Sequence, residues 1–428
     1  MNILHINKFH YVRGGAEAVY INTASLLESK GHRSVFFSMC HPQNLPCVTG
    51  DYFMPYAELS ADRNSPDIVD QIRTAGRIIY SFTAKKRISR LLDDYPVDIA
   101  HLHNIYHHIS PSILHVLKKR RVPVIMTLHD YKMVCASYHL QSHGKPCEAC
   151  YGGRYFMAIS GRCVKGSLVK SVLNTLEMYL HHSVLDIYNN VDVFISPSRF
   201  LKDKLFEMGF KKKIIHLPNY LDIEKFGEFN IDTGEGKAVR DKSVVYFGRL
   251  SHEKGLLTLL EAAKILKDQN RDFLEIKIIG DGPMRDELEQ KVRTEGIDNV
   301  RFLGYMKGGS LYREVKKSLA VILPSEWYEN NPMSVIEAFA LSTPVIGARI
   351  GGIPELVKDN ETGLTFQPGD AEDLSKKIKI FLDDNSLSGE MGEKARELAR
   401  REFSAERYYQ RLMEIYKKLL QGDDSNAG

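Results

Sequence analysis

Ser325-Glu-Trp-Tyr-Glu-Asn-Asn-Pro-Met-Ser-Val-Ile-Glu337 is the stretch on which the reading of this chain turns. It holds two carboxylates eight positions apart, Glu329 ahead of a proline and Glu337 inside an apolar run. Proline suits the first helical turn, where its missing N–H would have no partner, so the pattern predicts a helix from Pro332 with both acids at a strand-to-helix junction. Such a helix turns its positive end toward whatever lies beside Glu329. The arrangement suits hydroxyls on the carboxylates and a diphosphate at the dipole, and a sugar nucleotide carries both. Two acids at this spacing also occur by chance on water-facing helices, so the flanking sequence has to decide.

Upstream, Val244-Val-Tyr-Phe-Gly-Arg-Leu-Ser-His-Glu-Lys-Gly255 reads as a buried strand running into a glycine turn, with Arg249 and Lys254 in the loop before a helix. Downstream, Thr343-Pro-Val-Ile-Gly-Ala-Arg-Ile-Gly-Gly-Ile-Pro-Glu355 reads as strand, glycine-rich loop and a second proline-started helix. In this order the three segments resemble the donor-binding half of the family 4 retaining glycosyltransferases, and the resemblance extends over nearly the whole chain. Glu329 and Glu337 fall on the two positions of that family's E-x7-E motif. The resemblance implies an α/β chain of the GT-B fold: two Rossmann-like, doubly wound parallel-sheet domains facing a central cleft, with a C-terminal helix crossing back to the first.

The apolar pattern points the same way. Ile3 to Asn7, Arg33 to Ser38, Ile99 to Leu102, Val124 to Thr127, Val193 to Ser196 and Ile214 to Leu217 read as buried strands with helical stretches between them. After Pro218-Asn-Tyr-Leu-Asp222, a hinge, the alternation restarts at Ser243 and continues through Leu274–Ile279, Val300–Phe302, Val321–Leu323, Val345–Gly347 and Leu364–Phe366. Alternation of this kind makes parallel sheets covered on both faces. The expected domains are residues 1–218, acceptor-binding, with a cysteine-rich insertion at 131–166 and joined by a C-terminal helix at 403–421, and residues 219–402, donor-binding. Residues 229–241 are expected to form a surface loop, and 422–428 a disordered tail.

The chain has 428 residues and a formal charge of +4, unevenly divided. Met1 to Pro218 carries 27 Lys/Arg against 17 Asp/Glu, a net +10, and the remainder 31 against 37, a net −6. Basic clusters at Lys85-Lys-Arg87 with Arg90, Lys118-Lys-Arg-Arg121 and Lys211-Lys-Lys213 are either ordinary solvated faces or a surface for anionic lipid headgroups. No aromatic residues interleave with them and no nucleic-acid reader motif accompanies them, so nucleic acid is not an expected partner. There is no long apolar run and no signal-peptide pattern at the N-terminus, so the expected location is cytoplasmic, with peripheral contact at the inner face of the membrane as an option.

Site residues follow from position and resemblance together. Gly248 turns the chain while Arg249 and Lys254 offer positive charge to a diphosphate whose charge grows as the glycosidic bond breaks. The resemblance places Glu337 on the ribose hydroxyls and Glu329 near C3 of the donor sugar. It puts Asn330, Asn331 and Pro332 where backbone amides meet sugar and diphosphate. Gly280 and Gly282 would allow close approach to the nucleotide, and the base would lie near Tyr305 and Met306. In the first half, Gly14 and Gly15 are expected directly after the first strand and before a helix, where they can expose N–H groups to phosphate or acceptor. Glu17 reads as acceptor-facing or capping. The resemblance sets His129 beside the donor sugar and gives His103 and Asn104 an acceptor role. His101, His103, His107 and His108 otherwise suggest a metal at first sight.

Cys135, Cys147, Cys150 and Cys163 give C-x11-C-x2-C-x12-C, which fits either a structural zinc held by four thiolates or ordinary cysteines. The implied activity is transfer of a hexose-type sugar from a nucleoside diphosphate of UDP or GDP type to a glycan or lipid-linked acceptor hydroxyl, without a catalytic cofactor. It would serve polysaccharide, lipopolysaccharide or other cell-envelope glycan synthesis. A sugar-nucleotide epimerase of related fold and a silent sugar-binding subunit are the alternatives.

Overall fold

The computed structural model describes residues 1–56, 76, 79–229, 240–269 and 274–422. The expected loop and tail therefore fall mostly on residues 230–239 and 423–428, outside the described residues. In the first half run β1 (Asn2–Ile6), β2 (Arg33–Phe37), β3 (Ile99–Leu102), β4 (Val124–Thr127), the hairpin strands β5 (Gln141–Ser142) and β6 (Lys145–Pro146), β7 (Val193–Ser196) and β8 (Ile214–His216). Then come β9 (Ser243–Phe247), β10 (Glu275–Ile279), β11 (Val300–Gly304), β12 (Ala320–Leu323), β13 (Val345–Ala348) and β14 (Gly363–Phe366).

Apart from the hairpin, these strands form two six-stranded sheets, ordered β2-β1-β3-β4-β7-β8 and β11-β10-β9-β12-β13-β14. Every pair is parallel. Parallel pairing needs a crossover between strands, and helices covering both faces explain why β3, β4, β7, β9, β12, β13 and β14 are buried at every position. That double burial is what made the strands legible as continuous apolar runs.

Two compact units result. One comprises Met1–Leu140, Glu148–Pro218 and Tyr409–Gly428; the other comprises Gln141–Cys147 and Asn219–Tyr408. The last helix, Ala405–Gln421, contributes to both: Tyr408 stacks on Tyr220 at 4.3 Å, while the buried Tyr416 hydroxyl meets His101 Nδ1 at 2.7 Å. Helix Met333–Ala340 supplies Val335, Ile336 and Phe339 to the second core, all fully buried.

Two local expectations are corrected. Pro332 does not begin the helix but caps it, with an extended backbone (φ −66°, ψ 118°), because the chain is still turning out of the loop that follows β12. Gly14 and Gly15 do not follow β1 directly; residues 7–14 intervene before helix Gly15–Ser29.

Helix Ser386–Glu402 contains two glycines in opposite surroundings. A Cβ on Gly392 would stand 1.9 Å from the Ser342 carbonyl oxygen, whereas one on Gly389 would meet nothing within 4 Å. Alanine normally stabilises a helix interior over glycine by about 0.5–1 kcal/mol. Gly389→Ala is therefore expected to raise stability by about that amount and Gly392→Ala to lower it, as read from urea unfolding midpoints.

Candidate functional site

In an open parallel sheet a ligand sits beyond the carboxyl ends of the strands where the strand order reverses. In the second sheet that reversal falls at β9 and β12, which pair side by side. Their exits carry Gly248-Arg249 and Pro324-Ser325, so both flanking motifs of the opening stretch converge on one edge.

The glycines there serve backbone packing. Gly280 (φ +145°) would drive a Cβ to 1.9 Å from the Gly248 carbonyl oxygen, and a Cβ on Gly282 would lie 2.3 Å from the Leu250 oxygen. The Leu250 N–H donates to the Asp281 oxygen at 3.0 Å, locking the two turns together. These glycines thus have a packing cause of their own: each turn fills the space left by the other.

Beyond β9 a short turn, His252–Lys254, sets Lys254 against Glu329. Lys254 Nζ donates to Glu329 Oε1 at 2.6 Å, and the Ser325 hydroxyl donates to the same oxygen at 2.7 Å. Lys254 also lies over the Trp327 ring, 5.2 Å from its centroid. Burial alone would raise the Glu329 pKa, but the Lys254 ammonium and the hydrogen bonds from Lys254 and Ser325 bring it below the ordinary value. Glu329 is thus an ionised, buried carboxylate. Its main chain is fixed as well: the Gly352 N–H donates to the Glu329 oxygen at 2.7 Å, and Gly351 (φ +60°) comes so close that a Cβ would sit 2.4 Å from that oxygen.

Glu337 is the contrasting case. Half-buried on helix Met333–Ala340, its carboxyl is pushed up to about 7 by burial, and among the described residues no cation or hydrogen bond offsets that cost. Arg249 is exposed and makes no ion pair among the described residues. Asn331 is buried and tied to Asn219, whose N–H donates to Asn331 Oδ1 at 3.0 Å. Asn330 is half-buried, Tyr305 is 72 % exposed and Met306 half-buried on the loop after β11.

In the first unit, His129 ends β4 with its Nε2 2.8 Å from His103 Nδ1, the two rings stacked at 5.2 Å. Burial, with Lys8 nearby, pushes His129 down to about 4, so it is a neutral ring at physiological pH. His103 is wholly buried between His129 and His101, and its Nε2 has no hydrogen-bond partner among the described residues. Asn104 is buried and pinned by its backbone, donating to Asn7 Oδ1 at 3.1 Å and accepting from Lys8 at 2.9 Å. Glu17 is buried in the first turn after Gly14. His101 is spent structurally between Tyr416 and Thr127.

The zinc expectation is corrected. None of the six cysteines is disulfide-bonded, and among the described residues no three His, Cys, Asp or Glu side chains gather as a metal set. Cys135 is buried against the Ser137 hydroxyl, and among the described residues it belongs to no metal-holding set. The same holds for the histidines after β3.

Sequence reasoning missed Ser325, Trp327 and Asn219. Ser325 had a signal, a hydroxyl at the mouth of an apolar strand beside the acid pair, whereas nothing in the sequence linked Asn219 to Asn331.

Residues 13–225 match the profile described as Glycosyltransferase Family 4, and residues 228–398 match Glycosyl transferases group 1. The chain belongs to the family 4 type of glycosyltransferases. A 42.6 kDa protein in the cps region of Klebsiella pneumoniae is 28% identical over 370 residues, 83% of this chain and 87% of that one. The lipopolysaccharide core biosynthesis glycosyltransferase LpsE of Rhizobium meliloti is 27% identical over 238 residues, covering 55% and 66%. Among solved structures, HepE of Anabaena in complex with UDP and glucose superposes with a TM-score of 0.65 at 18% identity, covering 98% of this chain and all of that one. This last likeness speaks for the GT-B fold.

In this glycosyltransferase the Lys254–Glu329 pair is expected to be structural as well as functional. Removing one member of a buried pair leaves an uncompensated charge, at a cost of about 3–5 kcal/mol. Lys254→Met should therefore destabilise by about that much, and the double variant with Glu329→Gln by clearly less, in a double-mutant cycle of urea unfolding.

Proposed function

We propose that this glycosyltransferase moves a sugar from a nucleoside-diphosphate donor to an acceptor hydroxyl with retention of anomeric configuration, in the synthesis of a cell-envelope glycan. One observation carries the reading: Glu329 is fully compensated while Glu337, on the helix that follows it, and Arg249, on the loop after β9, have their hydrogen-bonding and charge capacity open. A ribose diol donates to Glu337, a diphosphate accepts from Arg249, and a nucleotide offers both at once. The UDP named with HepE and the cps-region and lipopolysaccharide settings of the two relatives support the donor and acceptor classes.

In this reading the second unit holds the donor. Glu337 takes the ribose, Arg249 and Lys254 the diphosphate, Glu329 the sugar hydroxyls through its second oxygen, and the backbone of Asn330, Asn331 and Pro332 the phosphate side. Tyr305 and Met306 border the base. The first unit supplies His129 as a neutral hydrogen-bonding ring, Gly14 and Gly15 as backbone N–H donors, and Glu17 and Asn104 toward the acceptor. The bond from the sugar C1 to the departing phosphate oxygen breaks as the acceptor oxygen bonds C1 on the same face. The acceptor proton passes to that phosphate oxygen, and Arg249 and Lys254 stabilise the growing charge.

Labelled UDP- and GDP-sugars test the activity: a glycosylated acceptor supports it, and an isomerised free sugar nucleotide or binding alone overturns it. Ionised Glu337 is the form that accepts hydroxyl donors, so protonation below its pKa of about 7 should weaken donor binding. Affinity for the nucleoside diphosphate should improve roughly tenfold from pH 6 to pH 8 beyond the change seen in Glu337→Gln, as one pKa unit is tenfold. Titration calorimetry of both proteins gives the comparison; parallel pH profiles would remove Glu337 from the ribose.

A further inference from the structure

The segment after the cysteine stretch is built inside out. Along helix Leu168–Tyr179 and the wide turn Leu180–Val184 that extends it, Leu168, Val169, Val172, Leu173, Leu176 and Leu180 recur at i, i+1, i+4, i+5, i+8 and i+12, one face of a helix. Val172, Leu173 and Leu180 are half-buried, and the rest of that face is open to solvent: Leu168 is 50 % exposed, Val169 77 %, Leu176 57 % and Val184, at the end of the turn, 71 %.

The opposite face is largely polar, with Ser171, Asn174, Thr175 and Glu177 buried beside Met178, and its side chains are held by specific bonds. Thr175 donates to the Tyr155 oxygen at 3.2 Å, Ser171 accepts from the Val164 N–H at 3.1 Å, and His181 meets the Ile79 oxygen at 2.7 Å. Glu177 accepts from the buried Lys132 at 2.9 Å and meets His107 at 2.8 Å. Rotating the helix to hide its leucines would strip Glu177 and Lys132 of each other, so the apolar face is held outward.

Charge identifies what covers it. From residue 149 to residue 185 the only acid is the inward Glu177, and the cations Arg154, Arg162, Lys165 and Lys170 are all exposed. The His181–Ile79 contact also brings the start of helix Phe82–Asp94 beside the turn, adding Phe82, 75 % exposed, and the exposed Lys86. A second copy seated on this face by two-fold symmetry would set cation against cation. An apolar helical face flanked by lysine and arginine is the pattern of a helix lying in the plane of an anionic bilayer.

We propose that this face, centred on Val169 and Leu176, docks the protein on an anionic lipid surface. It relocates the membrane contact expected from the Lys118–Arg121 and Lys211–Lys213 clusters, where Arg120 is paired with Asp93 and Lys212 with Asp186. It extends the transferase reading by placing the acceptor at a membrane, but its test reads lipid binding alone and stands or falls separately from sugar transfer.

The full chain is floated with vesicles of equimolar phosphatidylglycerol and phosphatidylcholine, and with phosphatidylcholine vesicles, at low and high salt. Binding is expected on the anionic vesicles alone, weakened by salt. Val169→Asp and Leu176→Asp, both exposed and so compatible with folding, should each lower it roughly tenfold, in line with loss of one buried aliphatic side chain. Lys165→Glu with Lys170→Glu should lower it similarly. No binding at low salt, or binding that survives Leu176→Asp, overturns the proposal. So does a dimer in sedimentation velocity that Leu176→Asp abolishes without any vesicle binding.

Discussion

The ion pair between Lys254 and Glu329 is the constraint around which the second unit's strand edge is arranged. A carboxylate with so little access to water stays charged only if a cation and hydroxyl donors reach it, and here both do so on one oxygen. Reaching it requires two backbones to come unusually close. A Cβ on Gly255 would lie 1.9 Å from the Pro324 oxygen, which brings the Lys254 turn against the exit of β12, and Gly351 closes on Glu329 from the other side. The glycine-rich loops are thus the means by which a charged pair is fixed between a turn, a strand end and a loop.

Compensation at Glu329 makes the lack of it at Glu337 informative. The first acid has its stabilising partners in the protein; the second carries the cost of burial with none among the described residues. Groups left in that condition mark places where a ligand supplies what the fold withholds. On the proposed reading the nucleotide ribose is that supply, and Arg249, exposed at the end of β9, waits in the same way for the diphosphate.

The strands were legible because burial on both faces writes itself as short, mostly apolar runs, and β3, β4, β7 and β9 fall where those runs put them. The acid pair was legible from spacing and the proline. What a linear pattern does not carry is partnership between distant residues. Lys254 looked like a free charge for phosphate, and only the structure joins it to Glu329, 75 positions on. That Gly280 and Gly282 also pack against an adjacent turn was hidden, because that turn follows another strand. The four cysteines showed spacing without convergence. The outward apolar face of the helix from Leu168 was not read from the sequence, because which face turns inward depends on Lys132 and Glu177, 45 positions apart.

The stereochemistry of transfer tests the central claim most directly. Proton NMR of the reaction, followed from the donor's anomeric signal to that of the glycosylated product, is predicted to show the same anomeric configuration in both, with nucleoside diphosphate released in equal amount. An inverted anomeric centre in the product, or a free altered sugar nucleotide with no glycosylated acceptor, would contradict the account.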